Sequence, residues 1–167
     1  QPVSVEDLAH IFPLECSRQE LNTTDAWIPI PDELLEKYRY YRSTPLVRAY
    51  ALEAALQTPA HIYFKNESVN PLGSHKVNSA LAQCYYAKQE GTENVTTETG
   101  AGQWGAALSY AASVYGLNVA VYQVKISMLQ KPYRSSIMRT FGATVTGSPS
   151  MSTRAGKDII TNDPTHM

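Results

Sequence analysis

The second half of the chain alternates between two patterns of hydrophobic and polar positions. Three short segments are rich in the β-branched residues typical of strands, and they lie at 94–97, 119–124 and 143–146. The stretches between them have helical spacing, at 103–115 and 129–141, and each is followed by a glycine. The helix at 103–115 is small and apolar nearly all round, so we expect it to be buried. Strands that alternate with helices predict a parallel sheet with right-handed crossovers.

The first half of the chain has weaker patterns. Helices are predicted at 31–38 and 52–56, and a strand is predicted at 61–65. Ser74 is well placed to cap a helix at 75–89, which ends before a glycine. We therefore expect a helical N-terminal arm, then one more strand and a long helix.

Composition and charge limit the kinds of molecule that this protein is expected to bind. The 167 residues are 43% hydrophobic and carry a formal net charge of −1, so neither a nucleic acid nor a membrane is an expected partner. Mean hydropathy is −0.29, and no apolar run approaches the roughly 18 residues that a spanning helix needs. Cys16 and Cys84 are far apart and suggest neither a disulfide framework nor a metal site. The expected compartment is the cytoplasm.

The segment Gly-Ser-His-Lys-Val-Asn at 73–78 places Lys76 in the first turn of the predicted helix. The positive end of a helix disfavours a cation there by about 0.3–1 kcal/mol. One interpretation is an exposed lysine that tolerates this small penalty. The other is an amine that readily loses its proton and forms a Schiff base with a carbonyl group. His75 beside it has a simple structural interpretation as a first-turn histidine.

Residues 99–104 form a glycine turn between a predicted strand and a predicted helix. Free N–H groups of such a turn and of a helix N-terminus bind anions. Gly100, Gly102 and Gly105 also match the spacing of dinucleotide-binding sites, which require an acidic residue about 20 positions later. The segment 119–125 holds no Asp or Glu, which disfavours a dinucleotide site. Glycines that only permit a tight turn and close packing are the alternative.

Glu98 directly precedes the glycine turn. It lies at the carboxyl end of the predicted strand, where open α/β sheets place ligand chemistry. The alternative is an acid in a solvated loop. Lys131, Arg134 and Arg139 recur along one predicted helix, and we interpret them as a solvated face.

In their order and spacing, these segments resemble the tryptophan synthase beta chain, and most of all its less common second lineage. The matching segments are Thr44-Pro45-Leu46, 73–78, 98–105, 130–134 and 141–143, and Ile11-Phe12-Pro13 also fits. The resemblance implies a fold-type-II pyridoxal-phosphate enzyme, with pyridoxal 5′-phosphate as cofactor, that joins serine and indole to make tryptophan. The implied fold is α/β: a three-layer, open, mostly parallel sheet with helices on both faces and a helical N-terminal arm, present here incompletely.

The resemblance also implies roles for individual positions. Lys76 matches the catalytic lysine that holds the cofactor covalently, and Glu98 matches the catalytic carboxylate that helps the serine hydroxyl leave and steers indole. The cofactor-binding positions besides Lys76 are His75, Asn78 and Gln103. The substrate-binding positions are those of the glycine turn, namely Thr99, Gly100, Ala101, Gly102, Gln103 and Trp104. Trp104 stands where the main lineage usually has histidine, and no metal ligand is implied.

Three segments follow from the resemblance: an arm at 1–43, the first part of the cofactor-binding domain at 44–97 and a truncated, mobile communication-type subdomain at 98–167. Chains of this family are longer. This sequence starts at Gln1 without a methionine and has loop composition at 162–167. We therefore expect part of a longer enzyme, with doubtful cofactor affinity and no turnover when it stands alone.

The implied partners are small molecules, serine or phosphoserine together with indole, and a second copy of the full-length chain in a homodimer. An alpha subunit is an open alternative. Two other functions also stay open: a noncatalytic interaction module left by truncation, and another fold-type-II enzyme such as a serine/threonine dehydratase. Glu98 directly before the glycine turn disfavours the dehydratase.

Overall fold

The computed structural model describes residues 2–163, which form helices and short strands in alternation. The helices are α1 (Val5–Ala9), α2 (Leu14–Glu20), α3 (Asp32–Arg39), α4 (Tyr50–Leu56), α5 (Lys76–Gln89), α6 (Gln103–Tyr115), α7 (Lys125–Gln130), α8 (Pro132–Thr140) and α9 (Arg154–Asn162). The strands are β1 (Leu46–Arg48), β2 (Tyr63–Lys65), β3 (Asn94–Thr99), β4 (Asn118–Val124) and β5 (Thr144–Ser148). The first three helices lie in the arm at 1–43, in agreement with its predicted helical character.

Strands β3, β4 and β5 form one parallel sheet in that order, which confirms the predicted α/β fold. Thr97 pairs with Val121, and Val121 pairs with Val145 across the sheet. Helix α6 connects the first two strands, and α8 lies in the second connection. Gly116 ends α6 in a left-handed conformation with φ of 67°, as the sequence predicts for a helix stop.

Both crossover helices pack on one face of this sheet, since right-handed crossovers in the same direction place them together. Gly105 of α6 lies against Thr99, Val121 and Met138, which joins β3, β4, α6 and α8. On the other face, Glu98 is exposed, and the strand residues there are exposed or half-buried. Over residues 2–163 the sheet face that carries Glu98 is therefore less covered than the face on which α6 and α8 pack.

Strands β1 and β2 form a separate, antiparallel pair in which Leu46 lies opposite Lys65. The strand predicted at 61–65 is β2 of this pair and lies outside the parallel sheet, whereas β1 was not predicted. Each strand has only three residues, too few for a period to show in the sequence. Glu53 of α4 closes the unit, because its carboxylate accepts from Arg48 Nε at 3.0 Å and from the Ile62 N–H at 2.7 Å.

The start of the helix predicted at 129–141 is wrong. The helical conformation is interrupted at Lys131, between α7 and α8. That residue has φ of −131° and ψ of 62°, outside the helical region. Pro132 explains the break, since a proline clashes with a helical residue before it and favours the first helical position itself. The predicted loop at 162–167 differs too: Asn162 ends α9, and residues 164–167 lie outside the described residues.

The core lies between α5, α6 and the covered face of the sheet. Small side chains dominate it, so the two helices approach closely. The fully buried apolar residues of these helices are Val77, Ala80, Leu81, Cys84, Ala106, Ala107, Ala111 and Ala112. The predicted burial of the helix at 103–115 is confirmed, and α5 shares that core.

Candidate functional site

The chain reaches α5 through a loop that is organised by one buried asparagine. Asn70 is 6% exposed, and its Oδ1 accepts from the N–H groups of Leu72 at 3.0 Å and Ser74 at 3.2 Å. Its Nδ2 donates to Glu67 Oε2 at 3.1 Å and to the Ser74 carbonyl at 2.8 Å. All four hydrogen-bonding capacities of this amide are used. The loop before Lys76 is therefore held in one conformation.

Lys76 is the first residue of α5, one position later than predicted. The exposed His75 takes the cap position, and the Ser74 hydroxyl accepts from the Lys76 N–H at 3.4 Å. The Lys76 side chain is half-buried, and within residues 2–163 its Nζ has neither a hydrogen-bond nor an ion-pair partner. The amine is thus available to a ligand.

Asn78 lies two positions after Lys76, and residues two apart on a helix face different sides. Its Oδ1 accepts from the Tyr41 hydroxyl at 2.8 Å and from Arg42 Nη1 at 3.4 Å. Its carbonyl oxygen accepts from the Tyr38 hydroxyl at 2.7 Å. Among the described residues, only its Nδ2 is left to donate to a ligand.

The glycine turn is fixed on both sides. Thr99 is buried and accepts from the Gly105 N–H through its Oγ1 at 3.2 Å. Trp104, at the other end of the turn, donates from its indole nitrogen to Thr97 Oγ1 at 2.9 Å. Gly102 precedes α6 with φ of 92°, a conformation that favours glycine. Gly100, Ala101 and Gln103 are exposed, so the N–H groups of this turn face a place where a ligand can bind.

Two residues under the glycine turn were not predicted as part of it. A methyl group on Gly102 would lie 2.7 Å from Arg134 Cβ and 3.0 Å from Gln123 Nε2. Gln123 is fully buried, and its Oε1 accepts from the Ser135 hydroxyl at 3.0 Å, whereas its Nε2 has no partner among the described residues. No pattern in the sequence singles out Gln123. Arg134, interpreted as part of a solvated face, has its stem against the turn.

The first turns of α5 and α6 lie at the same end of the parallel sheet. Helix α5 ends only a few residues before β3 begins, and α6 starts directly after β3. Both helices consequently run against the strand direction and begin at the carboxyl end of the sheet, where α/β proteins bind ligands. The structure brings Lys76, Glu98 and the glycine turn to this end. Lys76 and Glu98 make no direct hydrogen bond or ion pair with each other.

A cavity of about 460 Å³ lies next to this end, between the arm, α5, β3 and α6. Its lining is mainly apolar, with side chains that include Ile11, Phe12, Cys84, Val95, Trp104 and Leu108. Glu98 also lines it. The cavity has the size and polarity of a site for an apolar ring.

Burial suppresses the reactivity of the thiols near this cavity. Loss of water contact raises the pKa of Cys84 to about 12 and that of Cys16 to about 11. Both cysteines are free. They are protonated at neutral pH, so neither is a candidate nucleophile.

The residues at the carboxyl end suit a cofactor that combines an aldehyde with an anionic group. Within residues 2–163, Lys76 offers an amine without a partner, and the glycine turn offers N–H groups with no room for a side chain at Gly102. Gln123 adds a buried amide donor that has no acceptor in the same part of the chain.

Residues 38–164 match the family described as pyridoxal-phosphate dependent enzyme. The chain belongs to this family. The family is pyridoxal-phosphate dependent, in agreement with the expected cofactor. Two similar proteins are the tryptophan synthase beta chain of Thermosipho africanus and the tryptophan synthase beta chain 2 of Thermotoga maritima. Each is 52% identical over 164 residues, which are 98% of this chain and 39% of the relative.

The chain thus spans about two fifths of the length of these curated relatives. Among solved structures, a pyridoxal 5′-phosphate-dependent aspartate racemase matches with a TM-score of 0.57 and 20% identity. That match covers 84% of this chain and 45% of the racemase, and it shows the fold alone. The resemblance to tryptophan synthase beta chains is confirmed by the relatives, and the α/β fold by both comparisons.

Two other kinds of site are absent from the part of the chain that the structure describes. In residues 2–163 no helix combines the length and the apolar character that crossing a membrane requires. The same residues hold no group of three His, Cys, Asp or Glu side chains arranged for a metal ion.

Proposed function

We propose that the complete protein encoded by this gene is a tryptophan synthase of the beta-chain type, which replaces the β-hydroxyl of serine by indole. The observation that carries this proposal is the placement of Lys76, Glu98 and the glycine turn at one end of the sheet, with an apolar cavity beside Glu98. The names of the relatives support it. Phosphoserine is the alternative donor, and a homodimer, with or without an alpha subunit, is the proposed assembly.

Each site residue has a proposed task in this reaction. Pyridoxal phosphate, when bound, supplies the electron-withdrawing ring that makes the α-carbon of an amino acid acidic. The N–H groups of the glycine turn hold the α-carboxylate of the substrate. Lys76 Nζ holds the cofactor and moves the proton at the α-carbon. His75, Asn78 and Gln103 are proposed to contact the cofactor.

Glu98 is proposed to govern the β-position. Its carboxyl group gives a proton to the serine oxygen as the bond between Cβ and that oxygen breaks, so that water leaves. The same group faces a cavity with apolar walls, which suits the indole ring. The reaction thus needs Glu98 for turnover but not for retention of the cofactor.

Lys76→Ala in the complete protein tests the assignment, with Lys88→Ala as the matched control. Lys88 is exposed in the last turn of the same helix, so its loss removes a lysine from α5 without touching the site. After addition of pyridoxal phosphate and reduction with borohydride, we expect a covalent pyridoxyl adduct in the control and none in Lys76→Ala. An adduct on another lysine, located by peptide mass mapping, would contradict the proposal.

Glu98→Gln separates binding from turnover. We expect the visible absorption of the bound cofactor to persist, whereas tryptophan formation from serine and indole falls by about 10²-fold or more, the size of a general acid–base contribution. Parallel assays with serine and with phosphoserine identify the donor. A complete protein that binds no cofactor would favour the noncatalytic interaction module.

A further inference from the structure

Three donors from the end of the arm converge on one residue of α5. Tyr38, Tyr41 and Arg42, which we call the arm cluster, all bond to Asn78. The two hydroxyl bonds, at 2.7 Å and 2.8 Å, have the usual length of well-formed O–H···O hydrogen bonds. The partners are 36 to 40 positions apart in the chain. These bonds are therefore tertiary contacts between the arm and the helix that begins with Lys76.

The two tyrosines of the arm cluster pack against the core, and their hydroxyl groups stay protonated. Tyr38 and Tyr41 pack against the core in edge-to-face contact, with ring centroids 6.4 Å apart, and the Arg42 guanidinium lies 5.6 Å from the Tyr38 ring centroid. Loss of water contact raises the pKa of both tyrosines above the ordinary value. Their hydroxyls consequently donate over the whole neutral range.

These bonds hold the first turn of α5 from the side away from Lys76. Asn78 follows Lys76 by two positions, which on a helix corresponds to nearly opposite directions. With Oδ1 engaged by Tyr41 and Arg42, the amide plane of Asn78 is fixed, and so is the direction of its Nδ2. With its carbonyl engaged by Tyr38, the backbone of this turn is also tied to the arm.

We propose that Tyr41, assisted by Tyr38 and Arg42, is a positioning residue that orders the first turn of α5 through Asn78 and so sets the direction in which Lys76 meets its cofactor. The inference rests on the proposed function for its consequence at Lys76. Its structural part, the ordering of the turn by the arm, stands on the hydrogen bonds alone.

The test is Tyr41→Phe in the complete protein, with Tyr40→Phe as the matched control. Tyr40 is the adjacent residue of the same segment and is 79% exposed, and its hydroxyl has no hydrogen-bond partner among the described residues, so removing that hydroxyl should have little effect. Phenylalanine keeps the packing of the Tyr41 ring and removes only the donor. Tyr38→Phe serves as a second variant.

The first readout is amide hydrogen exchange without cofactor, in peptides that cover residues 76–80. We expect exchange about fivefold to tenfold faster in Tyr41→Phe than in Tyr40→Phe, the change that loss of one hydrogen bond produces. The second readout is the dissociation constant of pyridoxal phosphate, which we expect to rise by a similar factor. Equal exchange in the two variants would overturn the proposal.

A double-mutant cycle with Asn78→Ala separates positioning from general destabilisation. If Tyr41 acts through Asn78, Tyr41→Phe has no further effect on exchange or on cofactor affinity in the Asn78→Ala background. An undiminished effect in that background would overturn the role of Asn78. Because exchange is measured without cofactor, this result is independent of the Lys76→Ala experiment, and either proposal can fail while the other stands.

Discussion

Gly105 shows how closely the first turn of α6 is packed against the sheet and α8. An added Cβ would lie 2.7 Å from Met138 Sδ, 2.8 Å from Val121 Cγ1 and 2.9 Å from Thr99 Cγ2. None of these atoms belongs to a flexible surface side chain. The third glycine of the G-x-G-x-x-G spacing is therefore explained by close packing between helix and sheet, the simpler of the two interpretations that the sequence offered.

Gly105→Ala is accordingly expected to destabilise the protein by about 1–3 kcal/mol, the usual effect of overpacking a filled core. Gly100→Ala is the matched control, because nothing lies within 4 Å of an added Cβ there. The free energy of unfolding in urea measures both. A Gly105→Ala variant as stable as the control would show that the packing at this point can relax.

Asn70 stabilises the loop that leads to Lys76. Replacement by alanine leaves the half-buried N–H group of Leu72 and the buried N–H group of Ser74 without their acceptor. We expect Asn70→Ala to cost about 1–3 kcal/mol, measured by urea unfolding, since that is the penalty for an unsatisfied buried group. Asn94→Ala, at an exposed asparagine of β3, is expected to have little effect.

At the level of elements, the sequence predicted best where a helix ends at a glycine. Gly116 and Gly142 both have the left-handed conformation expected of a helix stop, and the strands after them follow as predicted. It failed where a single residue changes the backbone, as at Pro132, and it missed the three-residue strand β1. The arm helices α1 and α2 have only five and seven residues, which is too short for helical spacing to stand out in the sequence.

Helix α9 depends on its cap. The Thr153 hydroxyl accepts from the Gly156 N–H at 3.0 Å and so satisfies one of the free donors at the helix start. Thr153→Ala is expected to lower helicity in this segment at a cost of about 0.5–2 kcal/mol. Amide exchange of residues 154–162 measures the change. Thr161→Ala, in the exposed last turn of the same helix, should leave exchange unchanged or slower.

For the whole molecule, burial of weak acids makes the fold sensitive to alkaline pH. The pKa of Cys84 is raised from 9.0 to about 12 in the folded protein, and burial raises the pKa of Tyr38, Tyr41 and Tyr115 as well. The folded state binds these protons more tightly than the unfolded state. Their stabilising contribution is complete below the unfolded pKa and is lost as the pH rises through the folded value.

The free energy of unfolding should therefore fall as the pH rises above about 9, and it should fall less steeply in Cys84→Ala. Urea unfolding at a series of alkaline pH values compares the two slopes, so any constant cost of the alanine cancels. Identical slopes would mean that the Cys84 thiol ionises as readily in the folded protein as in the unfolded one.

The candidate site could be predicted from the sequence only in part. Lys76, Glu98 and the glycine turn stand in contiguous motifs, so local spacing was enough to select them. Gln123, Arg134 and Tyr41 reach the same region from distant segments, and their place depends on sheet register and helix packing rather than on neighbours in the chain. Tertiary contacts of this kind leave no local pattern.

The alanine contacts between α5 and α6 have a consequence for how this protein can change over evolutionary time. Because methyl-sized side chains set the distance between the two helices, the separation of the Lys76 amine from the glycine turn depends on side-chain volume at positions that touch neither. A larger side chain at the buried Ala107 or Ala111 would push α5 and α6 apart without altering Lys76 or the glycine turn themselves. The relative placement of the two is thus open to change by substitutions hidden in the interior.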